Sequence, residues 1–200
     1  MSRLESLLAW TPFLLGGLAW NILIATVAMG AGTLLGCVLA WMRLCDRPWL
    51  RRIGTGLTEL SRNVPTIVFQ FYLALMLPGE ALPAWLKAAF ALAVAVLGFT
   101  SDNLLIALRE WRRGQRAAAM LFLPSWCGYL LIIVLASSTA SIIGVGELVS
   151  RCNSVINASA DSGLMVPMYL WASLIFFAFC WPLVVVLEHV RAALARRYSP

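Results

Sequence analysis

Apolar residues arrive in blocks too long for the core of a soluble domain, and the polar residues fall between them. A membrane-spanning helix needs about 20 consecutive apolar residues. The first block, Leu7 to Leu44, exceeds that length. Pro12 and the pair Gly16-Gly17 are expected to divide it into a short interfacial helix over 4–15 and a first span over 19–42. Further spans are predicted at 63–77, 85–108, 126–145 and 164–187. Pro65 stands in the first turn of the second of these, where proline is tolerated. Pro78-Gly79-Glu80 reads as a turn, and the Ser- and Asn-rich stretch 147–163 as a polar loop. The pattern predicts one all-α membrane domain over residues 1–200 with about five transmembrane helices.

Charge fixes the expected orientation. Of the 15 lysines and arginines, all but Arg3, Lys87 and Arg151 lie between spans one and two, between spans three and four, or in the C-terminal tail. With five spans these regions share a side. Basic residues favour the cytoplasm, so the N-terminus is expected outside, in the periplasm, and the C-terminus inside. Trp20, Trp41, Trp49, Trp85, Trp126 and Trp171 fall near predicted span ends, as interfacial aromatics do.

Composition agrees: the 200-residue chain is 62% apolar and 12% charged. A net charge of +6 does not imply nucleic acid, because the basic residues sit where they set topology. The five cysteines form no metal-ligand spacing, so no metal site is expected. His189, the only histidine, closes the last apolar block and reads as interfacial. There is no P-loop, zinc-protease or nucleophile-elbow motif, and the spans hold no serine–histidine pair or twin carboxylate. No catalytic residue is expected.

Three constellations carry candidate chemistry. Asp102, beside Asn103, lies within the third predicted span. A carboxylate there costs about 2.5–3.5 kcal/mol on insertion scales, so it faces a cavity, pairs with a base or is protonated. It reads as a wall group of a polar pathway, able to meet a substrate ammonium, or as a structural contact with hydroxyls of the fourth span, or as a group low enough to reach water. Ser137, Ser138, Thr139 and Ser141 form the second group; Ser137 and Ser141 share a helix face. They line a pathway or permit close helix packing. Glu59 and Arg62, three apart before Pro65, can pair on a helix.

The chain resembles the permease subunits of polar amino-acid ABC importers of the histidine–glutamine–arginine type. Three stretches carry the likeness: Glu59-Leu-Ser-Arg-Asn-Val-Pro-Thr-Ile-Val-Phe-Gln70, Gly114-Gln-Arg-Ala-Ala-Ala119 and Ser141-Ile-Ile-Gly-Val-Gly-Glu-Leu148. The resemblance implies a bacterial inner-membrane importer working by alternating access. Partner ABC ATPase subunits would hold the ATP and magnesium, and this chain would hold no cofactor. A second permease subunit and a periplasmic solute-binding protein would complete the complex. Asp102, Asn103, Ser137, Ser138 and Ser141 become pathway candidates. Arg112, Arg113, Gly114, Gln115, Ala117, Ala118 and Ala119 become the ATPase-coupling segment. Glu59, Arg62, Pro65, Gly144, Gly146 and Glu147 become structural motif positions.

The chain departs from the family pattern in its coupling region. Ala117 replaces a glutamate, and the 114–148 stretch lacks the length that would hold most of the coupling helices. The resemblance then implies a degenerate half of a heteromeric importer, or a shortened coupling helix over 107–120 that still docks. A non-transporting scaffold subunit is the alternative.

Overall fold

The computed structural model describes residues 3–77 and 82–198. It is helical, in the order α1 (Arg3–Leu44), α2 (Pro48–Asn63), α3 (Thr66–Met76), α4 (Ala84–Arg112), α5 (Arg116–Met120), α6 (Phe122–Ala136), α7 (Leu148–Ser159) and α8 (Met165–Tyr198). A 3-10 segment, Ser137–Ile143, follows α6. Among the described residues, four helices are long and apolar enough to cross a membrane: Glu5–Leu44, Ala84–Arg112, Arg116–Ile143 and Met165–Leu194. The predicted turn at 78–80 lies outside the described residues.

The first correction concerns α1. It runs unbroken through Pro12, so there is no separate interfacial helix over 4–15. Neighbouring groups in a membrane bundle satisfy what a proline frees, so a proline need not end a helix there. The glycine pair has another use. A Cβ on Gly17 would fall 2.7 Å from the backbone of Leu148, so glycine is what lets α7 lie against α1. The same device recurs deeper in the bundle. Gly32 and Gly36, one turn apart, admit Val96 and Thr100 of α4 to 2.5 and 2.7 Å of where their Cβ atoms would stand. Ala25, Ala28, Ala88, Ala89 and Ala93 continue the small-residue seam, all buried. Close backbone approach gains van der Waals contact, the main attraction between helices in lipid.

The second correction concerns the region after α1, expected as a basic loop. Residues 48–63 form the amphipathic helix α2, begun by Pro48 at its first turn. Its buried face is small and polar: Gly54, Thr58 and Ser61. Its exposed side carries Trp49, Ile53, Leu57 and Leu60. Val64 and Pro65 are extended, and the helix resumes as α3. The expected second span at 63–77 is therefore an 11-residue helix. At 1.5 Å per residue that is about 16 Å, half a bilayer core.

Two further differences bear on function. The predicted fourth span falls on the third of the four apolar helices, which begins at Arg116 rather than near 126. The stretch 147–163, expected as a loop, is mostly the helix α7, because Glu147 caps it: its carboxylate accepts from the N–H groups of Val149 and Ser150.

Basic residues mark one end of the bundle: Arg43, Arg62, Arg109, Arg112, Arg113 and Arg116. α7 and the Trp20–Trp85 ring pair (centroids 6.0 Å apart) lie at the other. Two of the tryptophans near predicted span ends reach hydroxyls of α1: Trp126 donates to Thr33 at 2.8 Å and Trp171 to Thr11 at 3.0 Å.

Candidate translocation site

Asp102 sits on α4 ten residues before its end at Arg112, about 15 Å back along the helix. Arg43, from the last turn of α1, donates to its Oδ1 at 2.7 Å, and Arg62 of α2 donates to its Oδ2 at 2.6 Å. Arg43 also donates to Ser101 Oγ at 3.0 Å, and Ser101 bonds Thr58 at 2.8 Å. One carboxylate thus ties three helices together. The Arg116–Ile143 helix, which holds the predicted fourth span, supplies none of these hydroxyls, which corrects that expectation. Arg62 pairs with Asp102, not with Glu59; Arg62 is 62% exposed along its side chain and Arg43 only 14%.

Gly98 makes this junction possible. A Cβ there would meet Ser61 Oγ at 2.5 Å and Arg62 Cγ at 2.8 Å. The Val64–Pro65 break therefore seats on α4 with a hollow on either side. One is a cleft of about 540 Å³ whose lining includes Arg62, Thr66, Phe99, Asp102, Asn103 and Tyr129. The Phe99 and Tyr129 rings stack across it, centroids 3.8 Å apart. The other is an apolar groove of about 460 Å³ lined by residues such as Leu39, Leu57, Leu60 and Leu97. Asp102 and Asn103 share the polar cleft, although Asn103 also donates back to Phe99 O at 2.9 Å.

The serine cluster lies elsewhere and does not line this cleft. Ser137 is buried and accepts from Asn21 of α1 at 2.9 Å. Asn21 also donates to Glu147 Oε2 at 3.0 Å and accepts from the N–H of Leu148 at 3.1 Å. Thr139 and Ser141 donate to the carbonyls of Ala136 and Ser138, three residues back. Ser137 therefore joins the Glu147 network, and Ser138 and Ser141 are half-buried beside it. Gly144, with φ +86°, ends the 3-10 segment, which lets Val145 and Gly144 donate back to Ala140 and Ser141. With Gly146 it lines an opposite-end cleft of about 440 Å³ beside Trp20, Trp85 and Arg151.

Glu147 lies beyond the third apolar helix and is fully buried. Burial pushes its carboxyl up from the ordinary value, and the bonds from Asn21, Ser150 and Val149 pull it part of the way back.

Sequence reasoning missed Asn21, Arg43 and Gln70. A lone asparagine inside an apolar span was the available signal for the first. Gln70 of α3 is 1% exposed, and neither polar atom of its side chain meets a partner among the described residues. It stands in the first of the three motif stretches.

The coupling candidates are split between the end of α4, a turn and the short helix α5, not carried on one continuous helix. α4 ends at Arg112; Gly114 takes φ +81°, Gln115 donates back to Glu110 O at 2.9 Å and Gly114 to Trp111 O at 3.0 Å. This paired bonding is a glycine-dependent helix stop. α5 then holds five residues and leads almost directly into α6. A single coupling helix over 107–120 is therefore ruled out. Arg112, Arg113, Gly114, Gln115 and Ala118 are exposed, Ala117 is half-buried and Ala119 is buried. The Arg116 guanidinium lies 5.7 Å from the centre of the exposed Trp111 ring.

Known proteins place this architecture. The fold matches that of an amino acid ABC transporter solved with histidines, with TM-score 0.82 and 18% identity, covering 94% of this chain and 97% of the other. No protein-family model matches the chain. In sequence the chain is 25% identical to the probable amino-acid ABC transporter permease protein YckA of Bacillus subtilis, over 84% of its own length and 83% of the relative's. It is 21% identical to the probable glutamine ABC transporter permease protein GlnM of the same organism, over 91% and 93%. These alignments run over 191 and 204 positions, more than the share of the 200-residue chain that each uses, so the chain is gapped against both relatives. The bundle is that of an ABC-transporter membrane subunit. The chain is a polytopic permease of the ABC importer class, similar to amino-acid permeases.

Proposed function

We propose that this permease moves polar amino acids across a bacterial inner membrane, N-terminus outside, as one half of a two-permease pathway. The observation that carries the reading is the likeness in fold and sequence to amino-acid ABC permeases over nearly the whole chain. ATPase subunits holding ATP and magnesium would dock at the basic end, against Trp111 to Arg116. A periplasmic binding protein would deliver the amino acid at the opposite end, near Gly144, Gly146 and Arg151. The ATPases would rock the permease halves about a polar site, alternating its access. Asp102, Asn103 and Arg62 would face that path, with Gln70 as an additional polar group. Ser137, Gly144 and Glu147 would hold the framework together.

The Arg113–Gln115 turn favours a heteromeric machine. An ATPase moves a permease by pushing on a docked element, and this tip offers little surface. The partner permease would then carry the stronger contact. A non-transporting scaffold subunit draws on the same observation. Purification from native membranes with mass spectrometry of partners, followed by ATP-driven uptake in proteoliposomes, tests both. An ATPase, a binding protein and a second permease are expected, with uptake lost in Asp102→Asn despite normal assembly. Unaltered uptake in that variant would point to the scaffold. Recovery of no ATPase would refute the importer.

A further inference from the structure

We infer that the cleft at Arg62 receives the carboxylate end of an uncharged or acidic amino acid and disfavours cationic ones. The inference rests on the importer reading and narrows its substrate class. Among the described residues, Asp102 is the only carboxylate lining the cleft. Both of its oxygens are already engaged, one by Arg43 at 2.7 Å and one by Arg62 at 2.6 Å. Two guanidiniums against one carboxylate leave the cluster with a net positive charge. Glu59, one turn back on α2, is exposed and does not line the cleft. A substrate ammonium entering here finds no free countercharge.

A carboxylate finds several partners. Arg62 commits one N–H group to Asp102 and is 62% exposed, so most of its donors remain open to a second acceptor. Arginine's planar fork suits a carboxylate in a paired geometry. The cleft is further lined by Thr66, Asn103 and Tyr129, neutral groups able to bond the rest of a small polar solute. Its volume of about 540 Å³ lies within the usual range of ligand sites. Asp102 is then a positioning residue: it fixes the Arg62 guanidinium from behind.

The test uses the purified permease complex with its ATPase in nanodiscs, without the binding protein, so that only the membrane site selects. Equilibrium binding of radiolabelled L-glutamate, L-glutamine and L-arginine is measured. Glutamate and glutamine should bind at least about tenfold more tightly than arginine. Arg62→Gln should weaken glutamate about ten- to a hundredfold, the range for a hydrogen bond to a charged group. Arg62→Lys should fall between the two. Asn103→Asp places a free carboxylate in the cleft and should shift preference toward arginine about tenfold, a gain that misfolding cannot mimic. Arginine bound as tightly as glutamate, or glutamate binding indifferent to Arg62, would overturn the inference. In proteoliposomes with binding protein present, ATP-driven uptake of any of the three would leave the importer reading standing. Uptake of none would remove the importer reading itself.

Discussion

Replacing Asn21 by alanine should destabilise the protein by about 2–4 kcal/mol. Three bonds vanish: donations to Ser137 Oγ and Glu147 Oε2, and acceptance from the N–H of Leu148. Ser137 retains its bond to Val134 O, and Glu147 keeps Val149 and Ser150. The N–H of Leu148 loses its acceptor in a site closed to water, and an unsatisfied buried donor costs about 1–3 kcal/mol. Weakened support of a buried carboxylate adds about 1 kcal/mol more. Asn21→Asp should be worse at neutral pH, since it sets a second carboxylate where the amide now donates at 3.0 Å to Glu147. Unfolding free energies from denaturing-detergent titration in mixed micelles read both effects. A change below about 0.5 kcal/mol in Asn21→Ala, or an Asp variant no worse than Ala, would refute the network's role.

Other outcomes follow from the same geometry. The folded-state carboxyl of Glu147 lies above its ordinary 4.5, so the native form holds this proton more tightly. The contribution of Glu147 should therefore become more favourable as pH falls from neutral toward 4.5, and Glu147→Gln should remove that slope in detergent titrations. Gly17→Val should cost about 1–3 kcal/mol through its clash with the Leu148 backbone and loosen α7, read as faster proteolysis there. Gly98→Leu should unseat the α2–α3 junction, detected as a longer spin-label distance between positions 59 and 106. Gly114→Ala should lose about 1 kcal/mol from the positive φ and lower ATP-driven uptake, if the tip is where an ATPase pushes.

Much of the bundle was legible in the sequence because lipid imposes a strong rule: long apolar blocks become helices and basic residues gather at one end. What was illegible depended on contact. Gly16-Gly17 reads as a breaker in isolation, yet its purpose is the approach of Leu148. α2 carries an apolar stripe at helical spacing, Trp49, Ile53, Leu57 and Leu60, but that stripe faces outward and the buried face is the small, polar one of Gly54, Thr58 and Ser61, so only the fold shows which side packs. Asp102 was recognisable as costly and in need of a partner, but Arg43 is 59 positions away and only the fold brings it near. Ser137 and Ser141 share a face on an α-helix, and the tighter 3-10 winding of 137–143 alters that relation. The 147–163 stretch is polar enough for a loop, and its helix begins at a glutamate, which is not among the usual N-cap residues.

The unbroken course of α1 has a mechanical consequence. Its 42 residues make a rod of about 63 Å, longer than the whole thickness of a bilayer, about 40–45 Å with its headgroups. Asn21, which fastens the Glu147 cap, and Arg43, which clasps Asp102, are mounted on the same shaft. Small residues let that shaft lie close along α4, with no hinge between the two fastenings. A tilt imposed at the basic end would then be passed along one continuous helix toward the far end. The two polar clusters share no direct contact, and this chain joins them as the two ends of a lever.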